Sequence, residues 1–416
     1  MDYSKLAASI IMPRLQVDKY VGFDDYKFYI KRLIDQGINS FCLFGRVNLE
    51  DVRKTINELN NYAEKDLFYS ADLEFGLKMR FNEGTGFPHA MSLGKTADYK
   101  LTFLVAQLIA QEAKNLGINW NFAPVCDINS NPKNPIINIR AFGEDAETVG
   151  IHAAAYIKGM NEIGVLSCAK HFPGHGDTDI DSHLDLPIIN KSKVEIYNNE
   201  ILTFIKAIEN GVDSIMIGHL SIPSLNTMHY PASLSKSVND ILRKELKFDG
   251  IILPDALDMN SVSNSFDSTM AAELALQAGN DILLLPEEVE MAIEGVANLI
   301  KKDANLLKQV ENSIDRINSK FEWANNKKLP DNIEFNQDYY LKNEKFSLQV
   351  ARKAIDLTVK EILTPLDNEK QLAGFAFLQK DEDMIQASTF FNFIQQALQS
   401  DFDLHISMKI LKKKIY

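Results

Sequence analysis

The chain has 416 residues; at roughly 150 residues per domain this allows two or three domains, or one large α/β barrel with an addition. With 45% hydrophobic and 24% charged residues it is neither disordered nor collagen-like, and its 3 cysteines exclude a disulfide scaffold. Lys and Arg number 44 against 57 Asp and Glu, a net charge of −13, which disfavours nucleic acid or an anionic membrane as a main partner without excluding a small basic pocket.

In chain order, short apolar runs at residues 7–13, 40–45, 68–74, 118–125, 166–172, 214–220, 250–256 and 281–286 read as strands. They are near-continuous rather than alternating, the pattern of parallel strands buried on both faces. Between them, residues 26–36, 50–63, 101–116, 146–163, 192–210, 238–245 and 268–278 carry the i, i+3, i+4 spacing of amphipathic helices. Asp145 and the Ser192–Glu195 capping box mark helix starts, and Gly117, Gly164, Gly211 and Gly279 fall where helices should stop. Eight strands alternating with helices predict an α/β protein with a (β/α)8 barrel over residues 1–326. A helix over 287–299 and a polar one reaching Asn326 complete it, and 327–338 reads as a linker. Residues 339–416 then form a small α/β segment, short for an independent domain: a helix over 346–359, a strand over 372–378, a helix over 381–400 and a strand over 403–410.

Cys42, Cys126 and Cys168 each lie in an apolar stretch, which predicts buried thiols. No apolar run approaches the ~18 residues of a membrane span. The first residues show no basic segment followed by a long apolar core, so a cytoplasmic location is expected.

Sites in α/β folds form at the carboxyl ends of strands. Those ends gather Asp72, Glu74, Lys78 and Arg80; then Asp127, Asn129, Asn131, Asn134 and Arg140; then Lys170, His171, His175, Asp177, Thr178, Asp179, Asp181, His183 and Asp185; and finally Met216, His219 and Asp255. His171 and His175 have the spacing of a helical metal pair, but Pro173 and Gly174 between them prevent one helix from presenting both, so no metal is expected. A polar loop with satisfied histidines is the plain alternative for residues 170–185. Acid–base and nucleophilic chemistry on a hydroxyl-rich ligand accounts better for so many ionisable groups. Cleaving a glycoside needs a proton donor on one side of the bond and a carboxylate on the other. Asp255 suits the carboxylate, emerging from an apolar strand, its alternative being a helix N-cap. Asp181 stands two residues from His183, where its carboxylate could orient the imidazole and hold it ready as a general acid.

The run Lys170–His171–Phe172–Pro173–Gly174–His175–Gly176–Asp177–Thr178, followed by Asp181–Ser182–His183, resembles the signature of glycoside hydrolase family 3, in its branch of bacterial β-N-acetylhexosaminidases. Asp72–x–Glu74–x–Gly76, Gly117–Ile118–Asn119, Arg140–x–Phe142–Gly143–Glu144–Asp145, Pro231–Ala232–Ser233 and Asp255–Ala256–Leu257–x–Met259 fit the same family, and the resemblance covers about residues 5–325. It implies a cofactor-free retaining exo-glycosidase that removes terminal β-linked N-acetylglucosamine from murein or chitin-like fragments. Asp255 would be the nucleophile; His183, held by Asp181, the acid and base; Asp72, Arg140, Lys170, His171 and Met216 would bind the sugar. A phosphorylase, a β-glucosidase or β-xylosidase, and an inactive sugar-binding homologue are the alternatives. The sequence departs from the family at Leu77, where Arg is usual, and at Pro254, where a small or hydroxyl residue often precedes the nucleophile.

Overall fold

The computed structural model describes residues 1–178, 186–227, 230–330 and 332–355, with the strands Ala373–Leu378 and Ser407–Lys412. The chain divides into two compact units, Met1–Asp356 and Leu357–Tyr416.

In the first unit, seven parallel strands follow one another in sheet order: β2 (Arg14–Gln16), β3 (Ser40–Phe44), β4 (Phe68–Ala71), β5 (Trp120–Asn121), β6 (Leu166–Phe172), β7 (Ser214–Ile217) and β8 (Ile251–Pro254). The sheet curls until its edges meet. Strand β1 (Ile11–Met12) pairs in parallel with β9 (Leu283–Leu284). The backbone entering β9 bonds to β8, with Asp281 N donating to Ile252 O over 2.7 Å. Helices connect the strands around the outside, which makes this the expected α/β barrel.

Strand β6 and the helices Ala146–Ile163 and Ser268–Ala278 fall on their expected residues. The Asp145 carboxylate caps the first helix by accepting from Thr148 N at 2.8 Å, and Ser192 with Glu195 closes a capping box. Elsewhere the sequence pattern misleads. The first expected strand opens instead as the helix Tyr3–Ala8, capped by Asp2, and the strand after it is interrupted at Pro13, which has no N–H for a ladder. The expected helix over 192–210 divides at Asn199 into Lys193–Asn198 and Glu200–Glu209. The helix expected over 238–245 is a short α-helix, Lys236–Asp240, followed by a π-turn, Ile241–Glu245. The helix expected at 346 starts earlier, as Gln337–Ala354, because Asn336 accepts from Tyr339 N at 3.0 Å.

Helix Ala304–Asn326 crosses the amino-terminal end of the barrel. Its Ser313 and Arg316 reach Asp281 Oδ1 at 2.8 and 2.6 Å, and its Lys320 reaches Asp213 Oδ1 at 2.8 Å. The same two carboxylates hold barrel backbone: Asp281 Oδ2 accepts from Ile252 N at 2.7 Å and Asp213 Oδ2 from Ser167 N at 3.0 Å. Phe321 packs edge-on against Phe68, ring centroids 4.3 Å apart. Cys42, Cys126 and Cys168 are buried free thiols, as expected. Among the described residues no helix is long and apolar enough to cross a membrane.

In the second unit, Ala373–Leu378 and Ser407–Lys412 pair in parallel, with Ala373 opposite Ser407 and Leu378 opposite Lys412. The helix expected over 381–400 lies outside the described residues.

Candidate active site

A cavity of about 540 Å³ opens at the carboxyl ends of the strands. Asp72, Arg140, Lys170, His171, Met216 and Asp255, expected from five separate stretches of sequence, all line it. Its size is that of an ordinary small-molecule site.

Lys170 is the centre of the charge arrangement. It stands near the end of β6, in register with Met216 of β7, and its side chain is 2% exposed. Its Nζ meets Asp72 Oδ1 at 2.7 Å and Glu74 Oε1 at 2.8 Å. Arg140 binds Glu74 with both ends of its fork, Nη2 to Oε1 at 2.7 Å and Nε to Oε2 at 3.0 Å, and Arg80 pairs with the second oxygen of Asp72. Burial alone would push both carboxyls up. Lys170 with Arg80 at Asp72, and Arg140 with Lys170 at Glu74, overcome that and hold both well below the usual carboxylate range. Burial likewise works against the Lys170 ammonium, but Asp72 and Glu74 outweigh it and raise its pKa. The cluster is therefore fully ionised near neutral pH.

His171 follows where the pairing of β6 with β7 slips by one residue, between Lys170 and Phe172. Such a bulge re-aims a side chain at the end of a strand. Asp127, fully buried, then fixes it: the carboxylate accepts from His171 N at 3.1 Å, from His171 Nδ1 at 2.7 Å and from His175 N at 2.7 Å. Burial would raise the Asp127 pKa, yet the neighbouring imidazole of His171 and these bonds bring it below its ordinary value. An ionised carboxylate can only accept, so Nδ1 of His171 carries a proton. His175 sits against its neighbour, ring centroids 5.9 Å apart, and burial with the proximity of His171 pushes its pKa down to about 4.

Asp255 follows Pro254, the last residue of β8, and its own N–H continues the ladder to Ile217 O at 2.8 Å. Proline is thus accommodated at the strand end without loss of the next bond. The helix-cap alternative for Asp255 does not apply: the next helix, Asn260–Ser263, has Met259 at its cap position, and Asp255 Oδ1 accepts only from the adjacent Ala256 N, at 2.8 Å, among described groups. Burial pushes the Asp255 carboxyl up, but the nearby His171 imidazole, the Ala256 N–H and Lys170 bring it below its ordinary value, so it is ionised. His219 is buried and serves the backbone: Nε2 donates to Ala256 O at 2.8 Å and Nδ1 accepts from Ser233 Oγ at 2.6 Å. Burial lowers its pKa, consistent with a neutral ring in this tautomer.

Asp181 and His183 lie outside the described residues. The chain on either side of 179–185 is tied down, Lys191 Nζ reaching Asp177 Oδ2 at 3.0 Å and Glu200 Oε1 at 2.6 Å, and Ile189 N donating to Ser221 O at 2.8 Å.

The sequence reading left Glu74, Arg80, Asp127 and His219 without roles. A charge count would have signalled Glu74, since Lys170 and Arg140 arriving beside Asp72 alone would leave a buried excess of positive charge. Leu77, where the sequence departs from the family pattern, is fully buried.

Residues 24–319 match the glycosyl hydrolase family 3 N-terminal domain. The chain is 38% identical over 264 residues to beta-hexosaminidase A of Pseudoalteromonas piscicida, covering 58% of this chain and 44% of that protein. It is 34% identical over 265 residues to the beta-hexosaminidase of Hydrogenovibrio crunogenus, covering 61% of this chain and 73% of that one. The chain thus spans less than half the length of the first of these relatives. Among solved structures, a family 3 β-N-acetylglucosaminidase from Paenibacillus sp. superimposes with a TM-score of 0.83 at 26% identity, covering 98% of this chain and 79% of that one. A parallel barrel, a charged cavity at its carboxyl end and a domain match over most of the barrel together establish that this chain belongs to glycoside hydrolase family 3.

Proposed function

We propose that the chain is a retaining exo-β-N-acetylhexosaminidase that removes terminal β-linked N-acetylglucosamine from murein or chitin-like fragments. The observation that carries this reading is the ionised Asp255 at the end of β8, in one cavity with the Asp72–Glu74–Lys170–Arg140 cluster. Lys170, Arg140 and Asp72 are held rigidly enough to hydrogen-bond the hydroxyls of a terminal sugar. The Asp255 carboxylate attacks the anomeric carbon as the glycosidic bond breaks, giving a covalent glycosyl-aspartate, while the His183 imidazolium gives its proton to the departing oxygen. In the second step His183 takes a proton from water, which attacks the same carbon and releases Asp255. The names of the relatives, beta-hexosaminidases, support the N-acetylhexosamine preference.

The test is a panel of aryl β-glycosides with and without the 2-acetamido group, run with and without phosphate. The expected result is free sugar from the acetamido substrates in both buffers. Sugar 1-phosphate formed only with phosphate would replace hydrolysis by phosphorolysis, and equal turnover of plain glucosides would remove the N-acetyl preference. A companion result concerns His183→Ala: cleavage of a poor, alkyl leaving group should slow by roughly 10²- to 10⁴-fold, the range of general acid catalysis, and that of an activated nitrophenyl group much less. Equal slowing of both would take the acid role away from His183.

A further inference from the structure

Helix Gln337–Ala354 lies beyond the residues that match the family domain, yet it packs directly on the turn that follows Asp72. That turn is tight. Gly76 and Gly84 have φ of +104° and +93°, and a Cβ on Gly76 would stand 2.3 Å from Thr85 O. Phe87 N donates to Phe75 O at 2.8 Å and closes the segment on itself, with Arg80 at the end of the short 3-10 turn Leu77–Met79. Asp72, Glu74 and Arg80 therefore ride on one compact piece of chain.

What holds that piece from outside is a buried carboxylate shared with the helix. Glu112, on helix Tyr99–Leu116 and 1% exposed, accepts from Thr85 N at 2.9 Å, from the Thr85 hydroxyl, and from Asn343 Nδ2 at 3.1 Å. Asn343 is itself 3% exposed. One helical turn on, Ser347 Oγ donates to Gly86 O at 2.8 Å, and on the surface Lys78 Nζ meets Glu344 Oε1 at 3.1 Å. The helix thus grips the turn at residues 78, 85 (through Glu112) and 86.

We propose that helix Gln337–Ala354 is a positioning element of the sugar site: through Asn343 and Ser347 it fixes the 76–87 turn, and with it the register of Asp72, Glu74 and Arg80 against Lys170 and Arg140. This rests on the reading of that cluster as the sugar site. Loss of the grip leaves the chemistry of Asp255 in place but loosens groups that bind the sugar before and during reaction, so the effect falls mainly on KM.

The variants are Ser347→Ala, Ser347→Thr and the pair Asn343→Ala with Ser347→Ala, in the full chain, assayed on an aryl β-N-acetylglucosaminide at 25 °C beside thermal unfolding. The double variant should raise KM about five- to tenfold, the scale of one or two lost hydrogen bonds, with a smaller change in kcat. Ser347→Ala should show part of this and Ser347→Thr, which keeps the hydroxyl, should restore it. A KM within twofold of the parent in the double variant, whether or not its Tm falls, would overturn the proposal. If the double variant does not fold, the Ser347→Ala and Ser347→Thr pair decides, an unchanged KM in the alanine variant counting against the proposal. Asp72→Asn separates the two readings: if it leaves KM and kcat intact the sugar-site reading itself fails, whereas a large loss there with unchanged Ser347 and Asn343 variants removes only the role of the helix.

Discussion

Asp255→Asn is expected to lower turnover of an aryl β-N-acetylglucosaminide by about three orders of magnitude or more, on the scale seen when a covalent nucleophile is removed, while N-acetylglucosamine still binds. Asparagine has nearly the same shape and keeps an oxygen to accept from Ala256 N, so the loop after β8 has no reason to move. His219 independently pins that loop through Ala256 O. What is lost is the charge that His171 and Lys170 help to sustain in a buried position. Rate assays with calorimetric sugar binding check the result, and turnover above a tenth of the parent rate would remove Asp255 from the nucleophile's role. Replacement by glycine adds a stereochemical reading: azide entering on the vacated side should give the α-glycosyl azide.

The largest effect on stability is expected from Lys170→Met. The side chain is almost fully buried and faces two carboxylates at once, at 2.7 and 2.8 Å. Methionine fills a similar volume but leaves Asp72 with Arg80 alone and Glu74 with Arg140 alone. Leaving a buried charge wholly uncompensated costs about 3–5 kcal/mol, and because each carboxylate here keeps one guanidinium the expected loss lies below that range. The pH dependence gives the sign. In the parent, both carboxyls have pKa values below their ordinary, unfolded ones, so their contribution is present at neutral pH and is lost only as acidity passes those depressed values. Without the ammonium each carboxylate keeps only one cation, so their pKa values rise and protonation begins at milder acidity. Urea unfolding at pH 7 and pH 4.5 should therefore show a gap between parent and variant that narrows on acidification. A gap that stays constant or widens would mean that Lys170 stabilises by packing and not by charge.

The sequence was informative where one physical signal acted alone. An uninterrupted apolar run produced β6 to the residue, and a capping Asp with a terminal Gly bounded helix Ala146–Ile163. It misled where two signals competed: the apolar run 7–13 begins with good helix formers behind a capping Asp2, and the capping bond outweighed the strand pattern. The cavity residues were readable because each follows a strand, and strand ends converge in a barrel. Their pairing was not. The contacts of Arg140 with Glu74, Lys170 with Asp72, and His171 with Asp127 join residues 66, 98 and 44 positions apart, and no local pattern encodes such distances. The grip of Asn343 on Glu112 spans 231 positions and lies beyond the matching family domain.

The helix across the amino-terminal end of the barrel has a consequence for biosynthesis. Asp213 meets its lysine 107 positions later, and Asp281 meets Arg316 35 positions later. As the chain emerges from the ribosome, the acid for each pair is made well before its cation. A barrel whose strands are all synthesised still carries Asp213 without its lysine, and Asp281 with Arg243 alone, until residue 320 has appeared. Full pairing of both buried carboxylates at the barrel floor therefore waits until residues 316–320 of that helix have been made.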